Sequence, residues 1–589
     1  MDTVNEKKIK SILICFIILL SNAITFKQYL PVSSDECAYI GQASLIAGNN
    51  WSDVTSQLNY FSFGSSIIIG LLWRIINSPA IFYRVVLFIN SLILVTSFLL
   101  CDAILKNIYL EMKDIARHVV SAITVIYAPY ICYSDYHLSE LYSVLGFWIN
   151  IFCLVKYSTS KHCRYLYIFS ISTVWMYFIH LRNIAICFAG VCIFLYLIIK
   201  KATPRKSLFF CVLLAVVTAV PLELWKNYST DILWNVENIY KDVNTFSGTE
   251  FNNYLSLIKD TEFWSALFRC LLGRIWYLYI GSLGVGFFAL FLQLKSILSS
   301  IKNGKKIELW RLYIVLSFFT LLGMVSLISW WPTRVDHIIF GRYLDTLWGP
   351  YILLGISEVI NPDNRQPFIK FSVGGIILIL TIGKIIEDFT RLAHTMQNEL
   401  DSSCGIRFLL NNPYEHGDFI KITTIYTLIL VFTLVVVKKR TTKPILFILT
   451  SLFLLNSIAG HIYMYNLQQE RLQVVETFDN YIVDFPNEII GYFPQTQLVN
   501  MMKFNNPDLQ FSAIYSTDED FVSAFNIVVL EDWQIKNLSK YALSNYEVFS
   551  SDGNKYYLLM KKSICNGEIS CIKQSFSLKT FLSMDLAGA

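Results

Sequence analysis

Charge is the scarcest commodity in this chain. Only 15% of its 589 residues are charged, against 54% hydrophobic, where a soluble globular protein carries about 25% charged residues. With a mean hydropathy of +0.49, that shortage excludes a soluble globular protein and leaves a polytopic membrane protein. Also missing is any basic stripe interleaved with aromatic residues, so nucleic acid is not expected as a partner. No CxxC pair and no Cys/His cluster has zinc-site spacing, although there are 13 cysteines. Most of these, such as Cys15, Cys101, Cys153, Cys187, Cys192 and Cys211, lie inside apolar runs, where cysteine behaves as a small hydrophobe. Only Cys565 and Cys571, in a polar tail, are placed to pair, given an oxidising compartment. Nucleophile elbows and phosphate loops are absent from that tail as well.

The absence that organises the chain is one of basic residues between positions 31 and 60. Lys7, Lys8 and Lys10 precede an apolar run at 11–26, so the positive-inside rule puts the amino terminus inside and residues 31–60 outside. The run resembles a secretory signal, but the many spans behind it make it an uncleaved anchor. Residues 61–76 are apolar but short, interrupted by Gly64 and Gly70 and carrying Arg74, and are expected to lie along the outer interface. Further spans are expected near 80–105 and 118–133, then one ending at Lys156, one at 165–179, one falling to Lys200, and others near 208–225, 275–294, 312–330, 346–360, 371–386, 422–437 and 444–463. Alternation then puts each dense basic cluster inside, including Lys200 with Lys201, Lys305 with Lys306, and Lys438 with Lys439. The result is about 13 transmembrane helices with outer juxtamembrane helices, spanning residues 1–465. Residues 466–589 have the composition of a small extracytoplasmic α/β domain, with a helical pattern through Leu472, Val475 and Phe478. Strands are expected at 525–530, 546–549 and 556–560, the last two joined by a hairpin at Asp552-Gly553. The domain is expected to pack on the membrane part as an accessory. Asn50, Asn227 and Asn537 head short N-glycosylation patterns on the outer side, a number that chance explains.

Asp35 and Glu36 follow the first span directly, just outside the hydrocarbon, where an acid ionises cheaply yet stays within reach of a membrane-borne substrate. Ser33, Ser34 and Asp35 also suit an N-cap for a short helix over 36–47, ended by Gly48 and Asn49. More polar residues cluster at the outer ends of other spans. They are Asp135, His137 and Glu140, then His180 and Arg182, then Arg334, Asp336, His337, Arg342 and Tyr343. Carboxylates at that depth serve as general base or metal ligand, and arginine grips a phosphate at two points, a set suited to a phosphate-bearing lipid.

In the order of its elements the chain resembles the membrane-embedded glycosyltransferases of the GT-C fold, specifically the bacterial relatives of protein O-mannosyltransferases (glycosyltransferase family 39) and the lipid A aminoarabinose transferase. Carrying the resemblance are Asp35-Glu36-Cys37-Ala38-Tyr39, Gly48, Trp51-Ser52-Asp53 and Tyr60-Phe61-Ser62-Phe63-Gly64. Ser139-Glu140, His180-Leu181-Arg182 and Phe340-Gly341-Arg342-Tyr343 with Pro350 and Gly355 extend it over about residues 1–460. The resemblance implies a sugar donor on a polyprenyl phosphate or diphosphate and a glycan, lipid or protein acceptor, as in lipopolysaccharide modification. Membrane lipids would surround it, and transfer would occur on the outer face of the cell membrane. It further implies Asp35 as general base, Glu36 as a residue positioning the acceptor and Glu140 as a second acid. The departing phosphate would be held by Arg182, Arg334 or Arg342, with His180 and His337 beside them. Tyr39, Tyr60, Asp135, His137, Asp336 and Tyr343 would line the acceptor and sugar. Some relatives carry a further acid and a lysine before the second span where this chain has Asn59-Tyr60-Phe61, so a divalent metal stays open and no other cofactor is implied. Two other readings are an O-antigen ligase or polymerase, which calls for a dominant outer loop in mid-chain, and a transporter or flippase of lipid-linked glycans, which calls for charges along a central cavity.

Overall fold

A computed structural model describes residues 2–23, 25–31, 33–58, 62–234, 259–328, 338–390, 404–409, 419–439, 441–482, 485, 487–494, 496–515, 522–536, 538, 543–551 and 556–565. Helix α1 (Asp2–Ser21) leads to α2 (Ser34–Ala47), the single turn α3 (Ser52–Thr55) and α4 (Gly64–Trp73). A long α5 (Pro79–Ile108) is followed by α6 (Asp114–Val125), α7 (Ala128–Cys132), α8 (Ser139–Ser160) and α9 (Arg164–Ile179). Next come α10 (Ile184–Ile199), α11 (Arg205–Leu233), α12 (Thr261–Gly281), α13 (Val285–Lys302) and α14 (Leu309–Ile328). The helical part closes with α15 (Arg342–Ile360), α16 (Arg365–Thr390), α17 (Phe419–Lys439) and α18 (Thr442–Ile482).

Among the described residues nine of these, α5, α8, α10, α11, α13, α14, α16, α17 and α18, are long and apolar enough to cross a membrane by length and composition. Four other expected spans coincide with α1, α6 with α7, α9 and α15, which are shorter, broken or more polar. Every residue of α15 from Leu344 to Ser357 is buried, as suits a helix at the centre of a bundle. By contrast, α11 shows Phe209, Val212, Val216 and Val220 on its surface, a face made for lipid. One expected span needs correction. Residues 275–294 form not one helix but the end of α12 and the start of α13, separated by a turn at Ser282, Leu283 and Gly284. Leu283 (φ 52°) and Gly284 (φ 72°) both sit in the left-handed region, which an apolar average cannot register but which the Gly281-Ser282-Leu283-Gly284 sequence signals.

The short helices after α1 form as the sequence requires. Ser33, in extended conformation, accepts the Glu36 N–H on its hydroxyl and caps α2. At the other end Gly48 (φ 102°) donates to Leu45 while Asn49 donates to Ser44, a Schellman stop. Helix α4 lies against α2, with Gly70 closed onto Ala43 and Ile46, and its Gly64 touches the backbone of Phe178 and Ile179. Through α4, which also touches α5, α8 and α9, α2 is tied to the ends of those helices.

The C-terminal part carries a five-stranded sheet ordered β2-β1-β3-β5-β4. Here β1 (Ile489–Tyr492), β2 (Gln510–Ala513) and β3 (Ile527–Glu531) are parallel, and β4 (Tyr546–Ser550) and β5 (Tyr556–Lys561) form the expected antiparallel hairpin. The hairpin turn at Asp552-Gly553 and the tail with Cys571 lie outside the described residues. Strands β1 and β2 escape sequence reading because four residues give too little alternation to detect. Position 466 falls within α18, which runs unbroken for 41 residues from the membrane part into this sheet's core. That core is continuous with the one under α2 and α4. Trp73 stacks on Phe82 at 4.5 Å and meets Phe504 of α19 (Gln497–Asn505) at 5.7 Å, while Asp53 takes Lys503 at 3.0 Å.

Candidate active site

The site is built where four helix ends meet beside α2. Asp35 stands in the first turn of α2 and Glu140 in the first turn of α8. Arg182 lies in the 3-10 turn Leu181–Asn183 between α9 and α10, and Arg342 opens α15. Arg342 joins two of the acids. Its Nη1 donates to Asp35 Oδ2 at 2.8 Å, and its Nε to Glu140 Oε1 at 2.7 Å. The same Glu140 oxygen accepts Arg182 Nη2 at 2.9 Å. An alternating chain results, Asp35, Arg342, Glu140, Arg182, of four formal charges that sum to zero. Only Asp35 reaches open space: its side chain is 26% exposed, against 0% for Glu140 and 4% for each arginine. Among the described residues Arg182 Nε and Nη1 and Glu140 Oε2 have no hydrogen-bond partner, which marks the inner side of the chain as unsatisfied.

Aromatic groups seat the arginines. The Arg182 guanidinium lies 4.4 Å over the Tyr343 ring, a cation–π contact that orients its plane, and His180 packs at 6.0 Å from the same ring. His180 Nδ1 accepts the Arg182 N–H at 3.2 Å, and burial together with the adjacent guanidinium holds its imidazole well below the usual range and therefore neutral. Tyr39 donates to Ser139 Oγ at 2.8 Å, one residue from Glu140, and burial then that carboxylate push its hydroxyl up. His137 is fully buried, edge-on to Tyr39 and Tyr142, and burial pulls its pKa down to about 3.

Two other expected residues, Glu36 and Asp135, are buried and hydrogen-bonded to neighbouring elements. Glu36 is fully buried and accepts Tyr83 OH at 2.5 Å and the His137 N–H at 2.6 Å, so it ties the start of α5 and the outer turn before α8 to α2. Asp135 bonds His461 Nδ1 of α18 at 2.7 Å. Burial raises its pKa to about 6, with His461 pulling the other way. Tyr60, Arg334, Asp336 and His337 lie outside the described residues. Capping of α2 belongs to Ser33, not to Asp35.

One residue that sequence reading missed is Asp345, one turn beyond Arg342 on α15. It is fully buried and accepts three tyrosine hydroxyls, Tyr127 at 2.8 Å, Tyr277 at 2.8 Å and Tyr133 at 3.0 Å. Tyr277 also accepts the Gly405 N–H and lies so close to Gly341 that a Cβ there would overlap its ring. Together these contacts seat the first turn of α15 and with it Arg342. An acid at the head of an apolar helix was the available signal.

Among the described residues no three His, Cys, Asp or Glu side chains converge to hold a metal ion. Both Asp35 and Glu140 are instead engaged by Arg342, a cation that would oppose one, so the residues described here do not fit a metal site.

No protein-family model and no curated protein matches the chain. Solved structures do. ArnT from Cupriavidus metallidurans bound to undecaprenyl phosphate superposes with a TM-score of 0.53 at 10% identity, over 93% of this chain and 97% of that one. The same protein in the apo state gives 0.53 at 9% identity, over 95% and 98%. At such identity what is shared is the fold, and it is shared over nearly the full length of both chains, sheet included. The chain is thus a polytopic helical protein of the GT-C fold with a small C-terminal sheet domain, the architecture its sequence resembles.

Proposed function

We propose that the protein is a glycosyltransferase that takes a sugar from a polyprenyl-phosphate-linked donor and passes it to a hydroxyl of a cell-surface glycan, lipid or protein. In this reading it lies in the cell membrane with its amino terminus inside and its sheet domain outside, and transfer occurs at the outer face. The observation that carries the proposal is the Arg342 guanidinium joining a partly exposed carboxylate, Asp35, to a buried one, Glu140, at the mouth of a membrane helix bundle. The reaction calls for a base that substrate can reach and for cations near a lipid phosphate, and the partly exposed Asp35 beside Arg342 and Arg182 supports that reading. That undecaprenyl phosphate is bound by ArnT, a protein of the same fold, agrees with the donor class.

The chemistry follows from the leaving group. A phosphate departs with its charge already dispersed, so guanidinium contacts replace a strong general acid. Asp35 then removes the acceptor proton as the acceptor oxygen attacks the anomeric carbon in line, a direct displacement that inverts configuration. Glu140 holds the two guanidinium groups at a fixed separation, and Glu36 fixes the turn carrying His137. Mass spectrometry of surface glycans from cells with and without the gene tests the proposal, with Asp35→Asn as the third sample. One sugar missing from one acceptor, in both the deletion and the variant, is the expected result. Loss of a whole glycan would indicate transport or ligation, and unchanged glycans would refute the assignment.

A further inference from the structure

We infer that Arg342 is handed from Asp35 to the departing phosphate during the reaction, so that proton uptake by the base and stabilisation of the leaving group are one coupled event. The inference rests on the glycosyl-transfer reading and deepens it. Its starting point is that the resting site is not an anion site. Among the described residues two carboxylates and two guanidinium groups cancel, and Arg342 spends Nη1 on Asp35 and Nε on Glu140. Glu140, which is fully buried and also holds Arg182, cannot let go without stranding the buried Arg182 guanidinium. Asp35 is the partner that can be released, because it alone is partly solvated.

The charge balance of the step supplies the release. The acceptor O–H bond breaks and its proton goes to Asp35. A new bond forms from that oxygen to the anomeric carbon, and the bond from that carbon to the phosphate oxygen breaks, leaving its electron pair on the phosphate. Asp35 thereby loses one negative charge as the phosphate gains one, going from a singly charged diester to a monoester of about −1.5 to −2. The pull of Asp35 on Arg342 Nη1 falls at the moment the phosphate begins to pull. Net charge in the site is constant, and no water need enter to screen it. Without this exchange the product would be an additional anion beside an already neutral cluster.

Because asparagine imitates the protonated Asp35, binding of the product lipid reads the handover directly. In detergent-purified full-length protein, Asp35→Asn should bind undecaprenyl phosphate at least about threefold more tightly than the parent while losing transfer, the scale of a partly exposed ion pair. In an Arg342→Gln background the same Asp35→Asn change should alter affinity little, since the gain passes through Arg342. Asp35→Ser serves as a second neutral variant, and a retained thermal transition certifies each protein. If the parent binds the lipid and neither neutral variant binds it more tightly, the handover is overturned. If the tightening survives in Arg342→Gln, Asp35 acts on the phosphate by direct repulsion and the handover is again overturned. If no folded form binds undecaprenyl phosphate, the donor class proposed above falls, and the inference falls with it.

Discussion

Truncating Glu140 should be among the most damaging single changes in the molecule, and for an electrostatic reason. Its side chain is wholly buried and its Oε1 accepts from Arg182 at 2.9 Å and Arg342 at 2.7 Å, both of them 4% exposed. Removing one member of a buried pair costs about 3–5 kcal/mol, because the charge left behind has neither water nor partner. Here Arg182 loses its carboxylate while Arg342 keeps Asp35, so Glu140→Ala should fall within that range, a large part of a typical stability of about 5–15 kcal/mol. Glu140→Gln keeps the volume and one acceptor but not the charge, and should cost less. The decisive comparison is Glu140→Leu alone against Glu140→Leu with Arg182→Leu. If the cost is a stranded charge, deleting one cation should restore at least about 1 kcal/mol, although a second buried side chain has been lost. Thermal unfolding in detergent, followed by a thiol-reactive dye on the buried cysteines, measures all four proteins. A double variant less stable than Glu140→Leu by the full cost of a second cavity would refute the reasoning and make Glu140 a packing residue.

Other outcomes follow from the same geometry. Ser33→Ala should cost about 1 kcal/mol by uncapping α2 and leave transfer per folded molecule unchanged. Asp35→Asn should do the reverse, barely moving the unfolding transition while lowering transfer by about 100-fold or more in a donor-turnover assay. Gly341→Ala would drive a methyl into the Tyr277 ring, tilting the start of α15 away from Asp35 and Glu140. Loss of transfer is therefore expected, and Tyr277→Phe should not rescue it, because the ring atoms that the methyl meets are retained. His137 is neutral when folded, since burial takes its pKa to about 3, whereas the unfolded chain takes up a proton near pH 6.5. Between those values the unfolded state holds more protons, so stability falls as pH falls, by about 1.4 kcal/mol per unit. Unfolding measured at pH 7 and 5.5 should show this increment in the parent and lack it in His137→Phe.

Much of the architecture was legible in order. Ser33 and Gly48 bracket α2 in the sequence as they do in space, since caps and left-handed stops are local chemistry. The hairpin of β4 and β5 was readable for the same reason, as was the meeting of Asp35, Glu140, Arg182 and Arg342 at one level, because membrane spans force helix ends into register. Which acid pairs with which base was not legible. Glu36 and Asp35 are neighbours in the chain, yet one turns inward to Tyr83 and the other outward to Arg342, 307 residues away. Asp135 and Glu140 look alike on one outer turn, but His461, 326 residues on, claims the first and two arginines claim the second. Asp345 reads as an acid in an apolar run, and only packing places three tyrosines around it. Hydropathy and caps act over one or two turns, so the sequence by itself determined most helix boundaries, the turn at Ser282–Gly284 excepted. The partner of a buried charge is chosen by whichever helices pack alongside, through contacts hundreds of residues apart, and that the tertiary structure alone decided.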